Sequence, residues 1–183
     1  MTDTTTGATP EVAGLKRFNA LDPVAAQRAL LACCSSAGWA RRVTGGRPYR
    51  SAEQLYGAAD EAVAGLDPEG MAQALAGHPR IGERSAGHAE SAREQSGVLD
   101  AKAELLAAIA DGNARYEERF GHVYLVCATG RSASELLQIL QSRLGNDPQT
   151  EERATRAELV EINRIRLARM LADLAAPSSP VSG

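Results

Sequence analysis

The chain has 183 residues, 44% of them hydrophobic, and carries 20 Lys and Arg against 23 Asp and Glu for a net charge of −3. A chain of this length hides roughly 70% of its unfolded surface on folding, so it needs neither metal nor disulfide to hold a core. The charge balance excludes a global electrostatic pull toward nucleic acid or anionic membrane, and no window approaches the roughly eighteen unbroken apolar residues of a membrane span.

In chain order, residues 1–13 open Thr-rich, offer no apolar face and lack the basic and apolar blocks of a secretion signal. They predict a loose tail on a cytoplasmic protein. Asp22-Pro23 pairs an N-cap with proline at the first helical position; Leu30, Leu31 and Cys34 then share a face, and Gly38 is expected to close the helix. Cys33 and Cys34 are adjacent, Cys127 is the third cysteine, and no C-x-x-C spacing exists for zinc or redox work, so all three read as small buried hydrophobes. Ser51 and Gln54 have capping-box spacing ahead of Leu55, Ala59, Ala62, Val63 and Leu66. Asp67-Pro68 repeats the start signal, Met71 and Leu75 form the stripe, and Gly77 ends it.

A further helix is expected from about Ser85 to Ser96, with Gly97 as a break. The next stripe is Leu99, Ala103, Leu106, Ile109, Tyr116 and Phe120, ended by Gly121. Residues 123–127 are strand-like in type. A strand needs a partner, and no second run of this quality exists, so the segment reads as extended or irregular buried chain, or as a helix start disguised by β-branched residues. Ser132 and Glu135 form a second capping box leading into Leu136, Leu137, Leu140 and Leu144, and Asp147-Pro148 starts a long helix to about Leu174. Residues 176–183, with Pro177 and Pro180, read as a second loose tail. The expected fold is all-α: one domain over 14–175, six to eight helices around one core, with an extended segment near 122–129.

Three places could carry chemistry. Pro79 pushes His78 out of helical dihedrals just after Gly77, which puts an imidazole on a corner where it can point into a cleft; an ordinary turn histidine is the plainer reading. Ser91, Glu94 and Gln95 share one helix face, so a hydroxyl, a carboxylate and an amide can converge on a small polar heterocycle, unless the face is simply solvated. On the last helix, Leu159, Ile162, Arg166 and Met170 span an arc of about 80°. Arg166 therefore sits inside an apolar stripe. Either its stem is buried with its head in water, or it meets an anion in a cleft.

Taken together, the motifs resemble the OHCU decarboxylase family, which acts on 2-oxo-4-hydroxy-4-carboxy-5-ureidoimidazoline in the urate-to-allantoin route. The matching pieces are Phe18-Asn19, His78-Pro79-Arg-Ile-Gly-Glu83, Ser91-x-x-Glu94-Gln95 and Arg119-Phe120-Gly121. They continue through Gly130-Arg-Ser-Ala, Arg143-Leu-Gly-Asn146 and Glu158-x-x-x-Ile162-x-x-x-Arg166-Leu167, covering about Leu15 to Leu174. The resemblance implies an all-helical fold and a cofactor-free decarboxylation giving (S)-allantoin. Its catalytic histidine falls on His78, working with Glu94 and Arg166. Its substrate contacts fall on Pro79, Ser91 and Gln95, and on main-chain groups of Tyr124, Leu125, Val126, Cys127 and Ala128. Where many relatives have an aromatic-Pro-aromatic run, this chain has His122-Val-Tyr124.

Relatives of this kind include homodimers, and Ala-rich helix faces would allow close pairing. The competing expectations are a non-catalytic helical module using the same groove for a partner, and a hydrolase with a metal on His78, His88 and His122. Neither nucleic acid nor membrane is an expected partner.

Overall fold

The computed structural model describes residues 9–81 and 96–176. Among the described residues, eight α-helices supply the regular structure and no strand occurs. They are α1 (Pro10–Ala20), α2 (Pro23–Cys33), α3 (Ala37–Gly45), α4 (Ala52–Ala64), α5 (Pro68–Ala76), α6 (Ser96–Phe120), α7 (Ala133–Arg143) and α8 (Pro148–Ala175). The fold is all-α, as the sequence punctuation predicts.

Caps set most of the helix starts. The Asp22 carboxylate accepts from the amides of Val24 and Ala25, both at 2.9 Å. Asp67 accepts from Gly70 at 2.7 Å, and Asp147 from Gln149 and Thr150 at 3.0 Å. Each side chain satisfies amides that the first turn leaves unpaired. Ser132 and Glu135 form a complete capping box at the start of α7. At α4 the box is altered: Ser51 Oγ accepts from the Gln54 amide, but the Gln54 side-chain Oε1 accepts from the Arg50 amide instead of reaching back to Ser51.

Three boundaries differ from the sequence reading. α1 starts at Pro10, inside the segment expected to be loose, because Pro10 supplies a helical first turn and Leu15 and Phe18 give the helix a buried side. Gly38 does not close α2. That helix stops at Cys33, with Cys34 extended at ψ 124°, and Ser36 caps a separate α3 in which Gly38 is the second residue. Gly97 does not break α6 but lies within it. A single glycine costs a helix only about 1 kcal/mol against alanine, which the packing of the remaining turns offsets.

The described chain falls into two compact units. The first contains α1–α4, most of α5, and α8 from Val160 onward. Phe18, Leu30, Trp39 and Leu55 are fully buried in it, and the Trp39 indole N–H donates to the Ala59 carbonyl at 3.0 Å, so burying the ring leaves no orphan donor. Gly14 lets α1 lie directly on α8: a Cβ there would stand 1.9 Å from the Leu171 carbonyl oxygen. Arginines close helix ends in this unit. Arg47 donates to the carbonyls of Phe18 and Leu21 at the end of α1, and Arg17 to those of Leu174 and Ala176 at the end of α8, where cations suit the helix dipole.

The second unit runs from Ala74 to Leu159. Its core is Tyr116 from α6, Tyr124 and Val126 from the segment after α6, and Leu136 and Leu140 from α7, with Ile81, Phe120, Ile139 and Leu144 packed around them. Gly121 ends α6 at φ 75°, a left-handed conformation glycine adopts without strain. The segment that follows has no regular structure.

Candidate active site

His78 lies two residues past the end of α5 and is half-buried. Its amide donates back to the Leu75 carbonyl at 3.0 Å, and its Nδ1 lies 2.9 Å from the Ala74 carbonyl oxygen. A carbonyl only accepts, so in this contact Nδ1 carries the proton, and Nε2 of the neutral ring carries none. Pro79 is exposed beside it. The chain beyond is pinned to α6: Arg80 grips both Glu117 oxygens at 2.7 and 2.8 Å, and Asn113 donates to the Ile81 carbonyl at 2.9 Å. The Arg80 bonds hold the Glu117 carboxyl below its ordinary range. Ile81 in turn packs against the cluster that contains Tyr124 and Val126.

Residues 123–128 have no regular structure and pair with no strand among the described residues, and several of their polar groups are met by two side chains and a turn amide instead. The Leu125 carbonyl accepts from Arg143 Nη1 at 2.6 Å, and the Cys127 amide donates to Glu158 Oε2 at 2.8 Å. The Ala128 carbonyl accepts from the Arg131 amide at 3.2 Å. These three groups are satisfied within the chain itself. The amide and carbonyl of Val126 are engaged by none of the described residues. Tyr124, Leu125 and Val126 are buried, Cys127 is half-buried and Ala128 is exposed.

Behind this segment lies a buried polar network. Arg143 donates through Nε to Glu151 at 2.8 Å, and its Nη2 also bonds Glu151, Thr155 at 3.0 Å and the Tyr116 hydroxyl at 3.3 Å. Tyr116 donates to Glu151, and Asn146 donates to the second Glu151 oxygen at 2.8 Å. Burial pushes the Glu151 carboxyl up, but the bonds from Arg143, Tyr116 and Asn146 outweigh it and hold the group below its ordinary value. Arg143 also lies over the Tyr124 ring, 5.0 Å from its centre.

Sequence reasoning named Arg143 and Glu158 only as motif letters and passed over Glu151. A signal was there to read. Arg143 continues the Leu136–Leu140 stripe of α7, while Glu151 and Thr155 continue the Leu159 face of α8, so opposite charges stand on two apolar faces.

Arg166 belongs to the first unit, half-buried, and its Nη1 donates to the Cys33 carbonyl at 2.8 Å. It caps α2, an arrangement the two sequence alternatives did not include. Cys33 and Cys34 are buried as expected, and burial pushes the Cys33 thiol up to about 11 against the pull of Arg166. Ser91, Glu94, Gln95 and His88 lie outside the described residues. Among the described residues, no group of three His, Cys, Asp or Glu side chains is arranged to hold a metal. No described helix is long and apolar enough to cross a membrane. A groove of about 370 Å³ runs along α6 between Arg80, Leu106, Asn113 and Glu117; neither His78 nor any of residues 124–128 lines it.

The OHCU decarboxylase family model matches residues 19–168. The chain is 32% identical over 134 residues to the 2-oxo-4-hydroxy-4-carboxy-5-ureidoimidazoline decarboxylase of Amia calva, covering 70% of this chain and 77% of that one. It is 27% identical over 164 residues to the uric acid degradation bifunctional protein TTL of Arabidopsis thaliana, covering 82% of this chain but 51% of the relative. The chain thus spans about half the length of that bifunctional protein. A crystal structure of an OHCU decarboxylase in the presence of (S)-allantoin superposes with a TM-score of 0.64 at 26% identity, covering 78% of this chain and 96% of that one. The chain belongs to the OHCU decarboxylase family, a family of carboxy-lyases of urate degradation.

Proposed function

We propose that this chain decarboxylates 2-oxo-4-hydroxy-4-carboxy-5-ureidoimidazoline to (S)-allantoin, with His78 delivering the proton. The observation that supports this most is the bond between His78 Nδ1 and the Ala74 carbonyl at 2.9 Å. It fixes the neutral ring on the tautomer protonated at Nδ1, so Nε2 is the nitrogen that takes up the proton when the ring becomes an imidazolium. The substrate carries its carboxylate one carbon from a ring C=N. When the C–C bond breaks and CO2 leaves, the electron pair moves toward that imine, so the substrate supplies its own electron sink and the reaction calls for no cofactor. Two tasks remain for the protein: turning the carboxylate out of the ring plane, and protonating one face of the carbon that bears the ureido group.

In this reading the His78 imidazolium gives up its Nε2 proton, and Glu94 holds His78 or a ring N–H. Ser91 and Gln95 read the ring or ureido edges, while Pro79 and the main chain of residues 124–128 contact the substrate. Arg166 offers a planar fork for an oxygen pair. It accelerates the reaction most if that oxygen gains charge as CO2 departs, because an equal grip on the ground state lowers no barrier. The cellular form that goes with this reading is a cytoplasmic enzyme, as a monomer or a homodimer.

The test is turnover of freshly generated substrate followed by circular dichroism. Spontaneous decay gives racemic product, so accumulation of optical activity supports the reading. A folded chain that leaves both rate and racemic outcome unchanged refutes it, in favour of a binding module on the same fold.

A further inference from the structure

Resting on the decarboxylase reading above, we propose that Glu158 and Arg143 are positioning residues that hold the peptide groups of Val126 as a preformed donor–acceptor pair for the substrate. The argument starts from peptide planarity. Leu125 C=O and Val126 N–H belong to one peptide plane and point in opposite directions; Val126 C=O and Cys127 N–H belong to the next and do likewise. Arg143 fixes the first plane through the Leu125 carbonyl at 2.6 Å, and Glu158 fixes the second through the Cys127 amide at 2.8 Å. Both planes that flank Val126 are therefore pinned from outside. Its own N–H and C=O are turned away from the two clamps, and none of the described residues engages them.

The clamps are themselves anchored. Arg143 is held by Glu151, Thr155 and Tyr116, and Glu158 by Arg131 at 3.3 Å. A backbone donor beside a backbone acceptor on one residue is the complement of a cyclic ureide edge, where an N–H stands next to a C=O. Loss of either clamp frees a peptide plane to rotate, which weakens recognition of that edge without touching the proton-transfer group.

Such a loss falls on binding, so it reads in KM and not in kcat. Glu158→Ala is expected to raise KM at least about tenfold while kcat changes less than about threefold, and to weaken (S)-allantoin binding in calorimetry by a similar factor. Glu158→Gln keeps an oxygen that accepts from Cys127 N–H, so it should restore both to within about threefold of the parent. If Glu158→Ala does not fold, Glu158→Asp, one methylene short of the amide, must show the same KM rise. A folded Glu158→Ala or Glu158→Asp chain with parental KM and parental (S)-allantoin binding overturns the proposal. So does a Gln variant as impaired as Ala. Failure of the underlying reading is seen separately, on the parent chain, which would then neither turn over the substrate nor bind (S)-allantoin.

Discussion

Glu151→Gln removes the negative partner from the most deeply buried ion pair described. The side chains of Arg143 and Glu151 are 7% and 1% exposed, so the guanidinium left behind cannot turn outward to water. Breaking a buried pair by removing one partner costs about 3–5 kcal/mol, because an uncompensated charge remains inside. Set against a total stability of about 5–15 kcal/mol, that is a large share. At about 2–4 °C per kcal/mol for a chain of this size, the melting temperature should fall by about 6–20 °C. Urea unfolding followed by far-UV circular dichroism measures the loss directly. The double variant Arg143→Met with Glu151→Leu should recover much of it, since a matched apolar pair leaves no buried charge. The pair also dictates an acid limb. The Glu151 carboxyl titrates below its ordinary value of 4.5, so its contribution is complete above that value and is lost as pH falls through the lowered native one. The Gln variant should lack this limb. A loss under about 1 kcal/mol, with the double variant no better than the single, would refute the reasoning.

Arg166→Lys keeps a charge able to reach the Cys33 carbonyl but loses the planar fork; kcat/KM should fall more than about tenfold with little change in melting temperature, and parental kinetics would leave Arg166 as a helix cap alone. Gly14→Ala places a methyl 1.9 Å from the Leu171 carbonyl oxygen, so α1 must shift off α8 at a cost of about 1–3 kcal/mol in urea unfolding; an unchanged midpoint would mean that the contact is not close in solution. With the Cys33 thiol pushed up to about 11, a thiol reagent at neutral to mildly alkaline pH should label half-buried Cys127 well before Cys33 in the native chain. Equal labelling rates would contradict the burial of α2's last turn.

What the sequence made legible is what local chemistry dictates. Asp22-Pro23, Asp67-Pro68 and Asp147-Pro148 mark helix starts because aspartate and proline act on the adjacent turn alone, and all three stand. The corner at His78 was legible for the same reason, since Pro79 and Gly77 act on their neighbours. Gly38 and Gly97 misled because a glycine's small local cost yields to packing that lies far away in sequence. The extended segment was seen but not explained: its partners Arg143 and Glu158 lie 18 and 31 residues from the groups they bind. Arg166 was placed correctly in an apolar stripe, yet its contact with Cys33, 133 residues distant, has no local signature.

The most direct test of the central claim is the product formed by His78→Asn on freshly generated substrate. The account predicts a kcat at least about two decades below the parent, as loss of a positioned acid requires, with the excess of (S)-allantoin collapsing toward a racemate while far-UV circular dichroism stays that of the parent. A folded His78→Asn chain that still makes (S)-allantoin selectively at close to the parental rate would contradict it.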